Sequence, residues 1–90
     1  MTTVVWTFAA VADLEEIRRY IGAFNPRSAQ DTADRLIAAG NGLANFPNRG
    51  RPVSGTDLRE LTVVSPYVIR YRVAGDHVLI LRVRHGMRRT

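Results

Sequence analysis

Ninety residues, 46% of them hydrophobic, suffice for one compact core and are too few for two, so a single domain over residues 1–90 is expected. Cysteine is absent and there are only two histidines, which argues against a disulfide framework, a thiolate site, a bound metal or any other cofactor. Thirteen basic residues, all arginine, outnumber eight acids to give a net charge of +5, and this points to an anionic partner.

Arginine suits phosphate and carboxylate because its planar fork donates two parallel hydrogen bonds and its charge does not titrate away. Codon bias in a GC-rich genome accounts equally well for the missing lysines, so the net charge is the stronger signal. No apolar run approaches the roughly 20 residues of a membrane span. Met1 to Phe8 lacks the basic start and apolar stretch of a secretory signal, and a cytoplasmic location is expected.

The first element is a short strand at Val4–Trp6, with Thr7 placed to cap the helix that follows. Ala10, Leu14, Ile17, Ile21 and Phe24 then recur at steps of three and four, and Glu15 and Arg19 form an i,i+4 pair on the opposite side. Asn25-Pro26 reads as an N-cap and a first-turn proline, so a second, antiparallel helix is expected almost at once. That helix carries Ala29, Ala33, Leu36, Gly40 and Leu43 on one stripe, with an Asp31–Arg35 pair, and Pro47 stops it. Gly40 falls on the apolar stripe, which favours close approach of another backbone over a frayed helix end.

Phe46 to Asp57 is a loop by its Pro, Gly, Asn and Ser content. Strands are expected at Leu58–Val64, Tyr67–Ala74 and His77–Arg84, with a turn at Gly75-Asp76. The resulting class is α+β: an N-terminal strand and an antiparallel helical hairpin packed on a small antiparallel sheet that three C-terminal strands complete.

Strand parity makes a finer prediction. A plain two-residue turn sets Arg72 opposite Leu79 and Arg70 opposite Leu81, mixing charge with core. One extra residue in the turn instead segregates Tyr67, Ile69, Tyr71 and Val73 with Leu79, Leu81 and Val83 on the core face. The expectation is therefore a bulged or three-residue turn at Ala74–Asp76, with Arg70, Arg72, Arg82 and Arg84 on the face turned away from the helices. Such a patch needs an anionic partner, or relief from Glu60 and neighbouring carboxylates. A solvated face, with arginine stems covering apolar surface, is the plainer alternative. His85 has the parity of Val83 and leans toward the core edge, while His77 is expected at the exposed turn. Trp6 and the tyrosines follow the apolar parity and are expected in the core or at its edge.

"PNRGRPVSGTDLREL", "PYVIRYRV" and "VLILRVRHGMRR", following the "AAVADLEEIRRYI" helix, resemble the RelE/ParE superfamily of type II toxins, and the ParE-like branch in particular. The resemblance spans nearly the whole chain and implies the same α+β fold. It implies an antitoxin partner, ParD-like with an acidic tail, in a hetero-oligomeric complex. For a ParE-like toxin it implies DNA gyrase as the target; for a RelE-like one it implies cleavage of messenger RNA on the ribosome.

A nuclease needs proton shuttles beside phosphate clamps. Here lysine is absent and no tyrosine follows Tyr71. His85, Arg82, Arg84, Glu60 and Arg51 remain as the catalytic candidates on that reading, with His85 the one group whose ordinary pKa suits acid-base work near neutrality. Gyrase poisoning is the favoured expectation. A plain nucleic-acid binding module, with strongly salt-dependent affinity, is a third class. For antitoxin binding the expected residues are Tyr20, Phe24, Ile37 and Phe46 along the hairpin, Gly40 permitting close approach, and Arg70, Arg72, Arg82 and Arg84 meeting its carboxylates.

Overall fold

The computed structural model describes residues 2–86; Met1 and residues 87–90, among them Arg88 and Arg89, lie outside this description. The chain runs β1 (Thr3–Trp6), α1 (Phe8–Gly22), α2 (Pro26–Asn41), a 3₁₀ turn (Gly42–Ala44), β2 (Arg51–Pro52), β3 (Leu58–Leu61), β4 (Tyr67–Ala74) and β5 (His77–His85). The strands form one sheet in the order β1-β5-β4-β3-β2. The α+β class holds, with the helical hairpin on one face of the sheet. The sheet is mixed, because β1 pairs parallel to β5 while the other pairs are antiparallel. A parallel neighbour needs a crossover, and the two helices with the strands after them supply it.

Both helix starts follow from local chemistry. The Thr7 hydroxyl accepts from the Ala10 amide at 3.3 Å, and the Asn25 side-chain Oδ1 accepts from the Ser28 amide at 3.1 Å. Each satisfies a first-turn N–H that has no partner inside the helix. The surface pairs differ from expectation: Glu15 bonds Arg18 and Gln30 donates to Asp34.

Ala10 and Leu14 of α1, with Ala29, Ala33 and Leu36 of α2, are buried, and the core continues through Leu61, Ile69, Tyr71, Val78, Ile80 and Val83. Phe24 falls outside that stripe. It lies beyond the end of α1 and is 79% exposed. Tyr20 is likewise exposed, unlike Tyr67 and Tyr71.

The second helix ends at Asn41, well before Pro47, so its two glycines have separate roles. Gly40 lies inside the helix and is buried, while Gly42 caps it. A Cβ at Gly40 would collide with the Trp6 ring. The close approach expected there is made by this ring and by Ile80, not by another backbone.

The β4–β5 hairpin corrects the predicted register. Ala74 pairs with His77 across a plain two-residue turn, where Gly75 supplies a φ of 62°. Arg72 does stand opposite Leu79. The irregularity comes farther along: Tyr71 pairs with Ile80, Arg70 with Arg82, and Leu81 is the extra residue. Val78 and Ile80 therefore take the core positions expected for Leu79 and Leu81, which are only partly buried. Beyond the bulge the predicted pairing holds, with Ile69 opposite Val83 and Val68 opposite Arg84.

Candidate functional site: the arginine face of the sheet

The loop after the 3₁₀ turn is where the "GRPV" and "LREL" segments meet. Arg51 pairs with Glu60 and Pro52 with Arg59, so a two-residue strand forms inside what reads as loop. Tyr71 fastens the preceding residues: its hydroxyl donates to the Pro47 carbonyl and accepts from the Gly50 amide, both at 2.8 Å. Arg59 adds a bond from Nη1 to the Gly50 carbonyl at 2.7 Å. A Cβ at Gly50 would meet the Tyr71 ring and the Glu60 carbonyl. Replacing Tyr71 by phenylalanine leaves the Gly50 amide unpaired and is expected to cost about 1–3 kcal/mol, read as a lower urea midpoint at unchanged slope.

This fastening places β2 at the end of a line of charge. Alternation of faces puts Arg51, Glu60, Arg70 and Arg82 in one row across β2, β3, β4 and β5, on the side away from the helices. Arg84 stands one step farther along β5. The row is largely self-neutralised. Arg70 directs its fork at Glu60, with Nε 3.1 Å from the carboxylate. Arg72 lies 3.5 Å from the exposed Asp57. Arg84 and Arg51 are exposed and have no carboxylate within ion-pair distance among the described residues.

Arg82 has a partner that sequence pattern did not indicate. β1 stops at Trp6, leaving the edge of β5 open beyond Ile80, and α1 closes it. The Thr7 hydroxyl donates to the carbonyls of Ile80 and Leu81. The Asp13 carboxylate accepts from the Val83 amide at 2.8 Å and from both Nε and Nη2 of Arg82 at 2.8 and 3.0 Å. Burial pushes the Asp13 carboxyl up, but the hydrogen bonds from Arg82 and Val83 and the charges of Arg82 and Arg84 outweigh it, and the net shift is downward. Arg82 is raised correspondingly by its bond to Asp13. Asp13 adjoins Leu14 at the border of the α1 stripe, the only trace of this role in the sequence.

His85 alternates with Val83, as expected, and is half-buried at the core edge, its ring edge-to-face with Tyr67 at 5.7 Å. It borders a concavity of about 220 Å³ together with Arg51, Glu60, Val68, Arg70 and Arg84. Four of the five nuclease candidates thus converge, while Arg82 is turned to Asp13. His77 is exposed at the turn and lies 2.8 Å from Asp76. Among the described residues, no group of three or more His, Asp or Glu side chains is arranged to hold a metal.

The apolar candidates do not share one surface. Ile37 lines a groove of about 550 Å³ between the helices, with Trp6, Val11, Leu14, Ala33 and Asn41. Tyr20 and Phe24 pack edge-to-face, at 5.7 Å, near the hairpin turn, and Phe46 stands on the loop with Pro47 and Asn48. Gly40 lies beneath Trp6 and contributes to none of these surfaces. Among the described residues no helix is long and apolar enough to cross a membrane.

Residues 4–90 match the family described as "ParE toxin of type II toxin-antitoxin system, parDE". The chain is 56% identical to Toxin RelE2 of Caulobacter vibrioides, over 98% of this chain and 99% of that one. It is 40% identical to Putative toxin Y4kP of Sinorhizobium fredii, over 90% and 84% of the two chains. A solved structure titled "Chromosomal ParDE TA system from P. aeruginosa" superposes with a TM-score of 0.86 at 28% identity, covering 94% of this chain and 96% of that one. With the fold, the fastened GRPV loop and the closing Arg-Val-Arg-His strand in place, the chain belongs to the ParE toxin family of type II toxin-antitoxin systems within the RelE/ParE superfamily.

Proposed function

We propose that this toxin poisons DNA gyrase through binding alone and is silenced by a cognate antitoxin with an acidic tail. The observation that carries this reading is the commitment of the carboxylates beside the arginines: Glu60 to Arg70, and Asp13 to Arg82 and the Val83 amide. General acid-base chemistry wants a group poised near the working pH and within reach of the proton it moves. Asp13 is held below the ordinary carboxylate range, and the buried Tyr71 hydroxyl is committed to the backbone. Membership of a family described by its parDE system supports the same branch.

The test is supercoiling by purified gyrase. Excess toxin is expected to block supercoiling and accumulate cleaved DNA, and His85→Ala is expected to do so as strongly as the parent. Unchanged supercoiling with no cleaved DNA would overturn the reading.

A second reading, ribosome-dependent cleavage of messenger RNA, is favoured by the convergence of Arg51, Glu60, Arg84 and His85 on one concavity. Toeprinting on translating ribosomes would reveal A-site cuts. A His85→Ala protein cutting at full rate would remove that residue from the mechanism.

For the antitoxin, the interhelical groove with Val11 and Ile37 exposed along it accepts the apolar face of an amphipathic segment. Tyr20, Phe24 and Phe46 extend the exposed apolar surface beyond the groove.

A further inference from the structure

We propose that the turn at residues 46–49 is the element with which the toxin grips its protein target, Phe46 entering an apolar pocket and Arg49 meeting a carboxylate on the pocket rim. The Arg49 amide closes the turn on the Phe46 carbonyl at 3.1 Å. Buried Tyr71 ties its base through Pro47 and Gly50, and the Arg59 Nη1 donates to the Asn48 and Gly50 carbonyls at 3.3 and 2.7 Å. All of these bonds end on the backbone of the turn, and the side chains of Phe46 and Arg49 are left exposed.

None of Asn45, Phe46, Asn48 and Arg49 is buried, so the fastening adds none of their side chains to the core. The same bonds place β2, but that role does not call for an exposed ring. What they hold rigid is a phenylalanine that is 67% exposed. A fixed backbone carrying an aromatic side chain loses little freedom on docking, and aromatic and arginine side chains are the residues that anchor protein interfaces.

Charge gives the chemistry of the partner. No aspartate or glutamate occurs between Asp34 and Asp57, whereas Arg35, Arg49 and Arg51 do. Arg49 has no carboxylate within ion-pair distance among the described residues, and Arg59 spends its hydrogen bonds on carbonyls. An apolar pocket with an acidic rim fits this turn, and like charge opposes a second copy of it. Proteins that bind single strands set several rings along a basic groove, whereas here one ring stands among Asn45, Pro47 and Asn48. This role for the turn rests on the toxin reading and deepens it, since gyrase is a protein target. It does not require gyrase, so the grip and gyrase poisoning can fail separately.

Potency is measured in two ways for each variant: as the concentration that half-blocks supercoiling by purified gyrase, and as growth arrest on induced expression without antitoxin. Phe46→Ala is expected to lower potency at least about tenfold, and Arg49→Ala roughly three- to tenfold, both at an unchanged urea midpoint. Phe46→Leu is expected to stay within about threefold of the parent, because an apolar pocket accepts leucine whereas stacking on a base needs a ring. Phe8→Ala, at the 97% exposed start of α1, is the control and is expected to match the parent. A folded Phe46→Ala protein of parental potency in both assays would overturn the proposal, as would an equal loss in Phe8→Ala. Phe46→Leu as weak as Phe46→Ala, with Phe46→Tyr at parental potency, would reassign the ring to a nucleobase and overturn the protein pocket. If the parent arrests growth but leaves gyrase untouched, the gyrase reading falls, and loss of arrest in Phe46→Ala still supports the turn as the grip on another protein.

Discussion

Replacing Gly40 by valine is expected to destabilise the toxin by about 3 kcal/mol, at the upper end of what inserting methyl groups into a packed core costs. The position is helical and its replacement would ordinarily help, since alanine is favoured over glycine by about 1 kcal/mol in a helix interior. Here a Cβ would collide with the Trp6 ring and would come within 2.8 Å of the Ile80 Cδ1. The ring is rigid and is tethered beside Gly40 itself, because its Nε1 donates to the side chain of the adjoining Asn41 at 2.9 Å. Trp6 must therefore swing out and lose that bond. A double-mutant cycle separates the two terms. In a Trp6→Ala background the ring contacts are removed and only the flexible end of Ile80 stays close, so Gly40→Ala should cost clearly less there than in the parent, the helix propensity of alanine offsetting the small shift of Ile80. Urea unfolding of the four proteins gives the answer, and a stabilising Gly40→Ala in the parent would show that the ring yields without cost.

What the sequence made legible was chemistry that acts within a few residues. Thr7 and Asn25 cap their helices, the apolar stripes give the buried faces, and Tyr67–Ala74 begins and ends where its pattern does. The register of β5 was only half legible. Segregating arginine from core was the right constraint, and it is met for Val68, Arg70, Arg82 and Arg84. The glycine turn closes without an extra residue, however, and the slip is taken up at Leu81.

The bonds around that bulge come from far away in the chain. Thr7 donates to the Ile80 and Leu81 carbonyls, and Asp13 accepts from the Val83 amide. No window along the sequence contains both partners. The same distance hid the parallel pairing of β1, which depends on where Val4 and Trp6 dock and not on their own pattern. Within the candidate site, Glu60 opposite Arg70 follows from parity alone, whereas the removal of Arg82 to Asp13 needed the helix in place.

Truncating Asp13 to alanine is expected to cost about 2–3 kcal/mol, because it leaves the Val83 amide and the Arg82 guanidinium without their acceptor at the sheet edge. The Asp13 side chain is only 13% exposed while that of Arg82 is 40% exposed, so the lost amide partner weighs as heavily as the lost charge pair. The effect has a pH signature. The folded-state pKa of Asp13 lies below its unfolded value, so the stability it contributes is fully present above the unfolded pKa and fades as the pH falls through the folded one. The gap between the parent and Asp13→Asn should accordingly be widest near neutrality and close on the acid side of the ordinary carboxylate range. Urea titrations at stepped pH measure it, and a gap that stays constant into acid would mean that Asp13 acts by shape and not by charge.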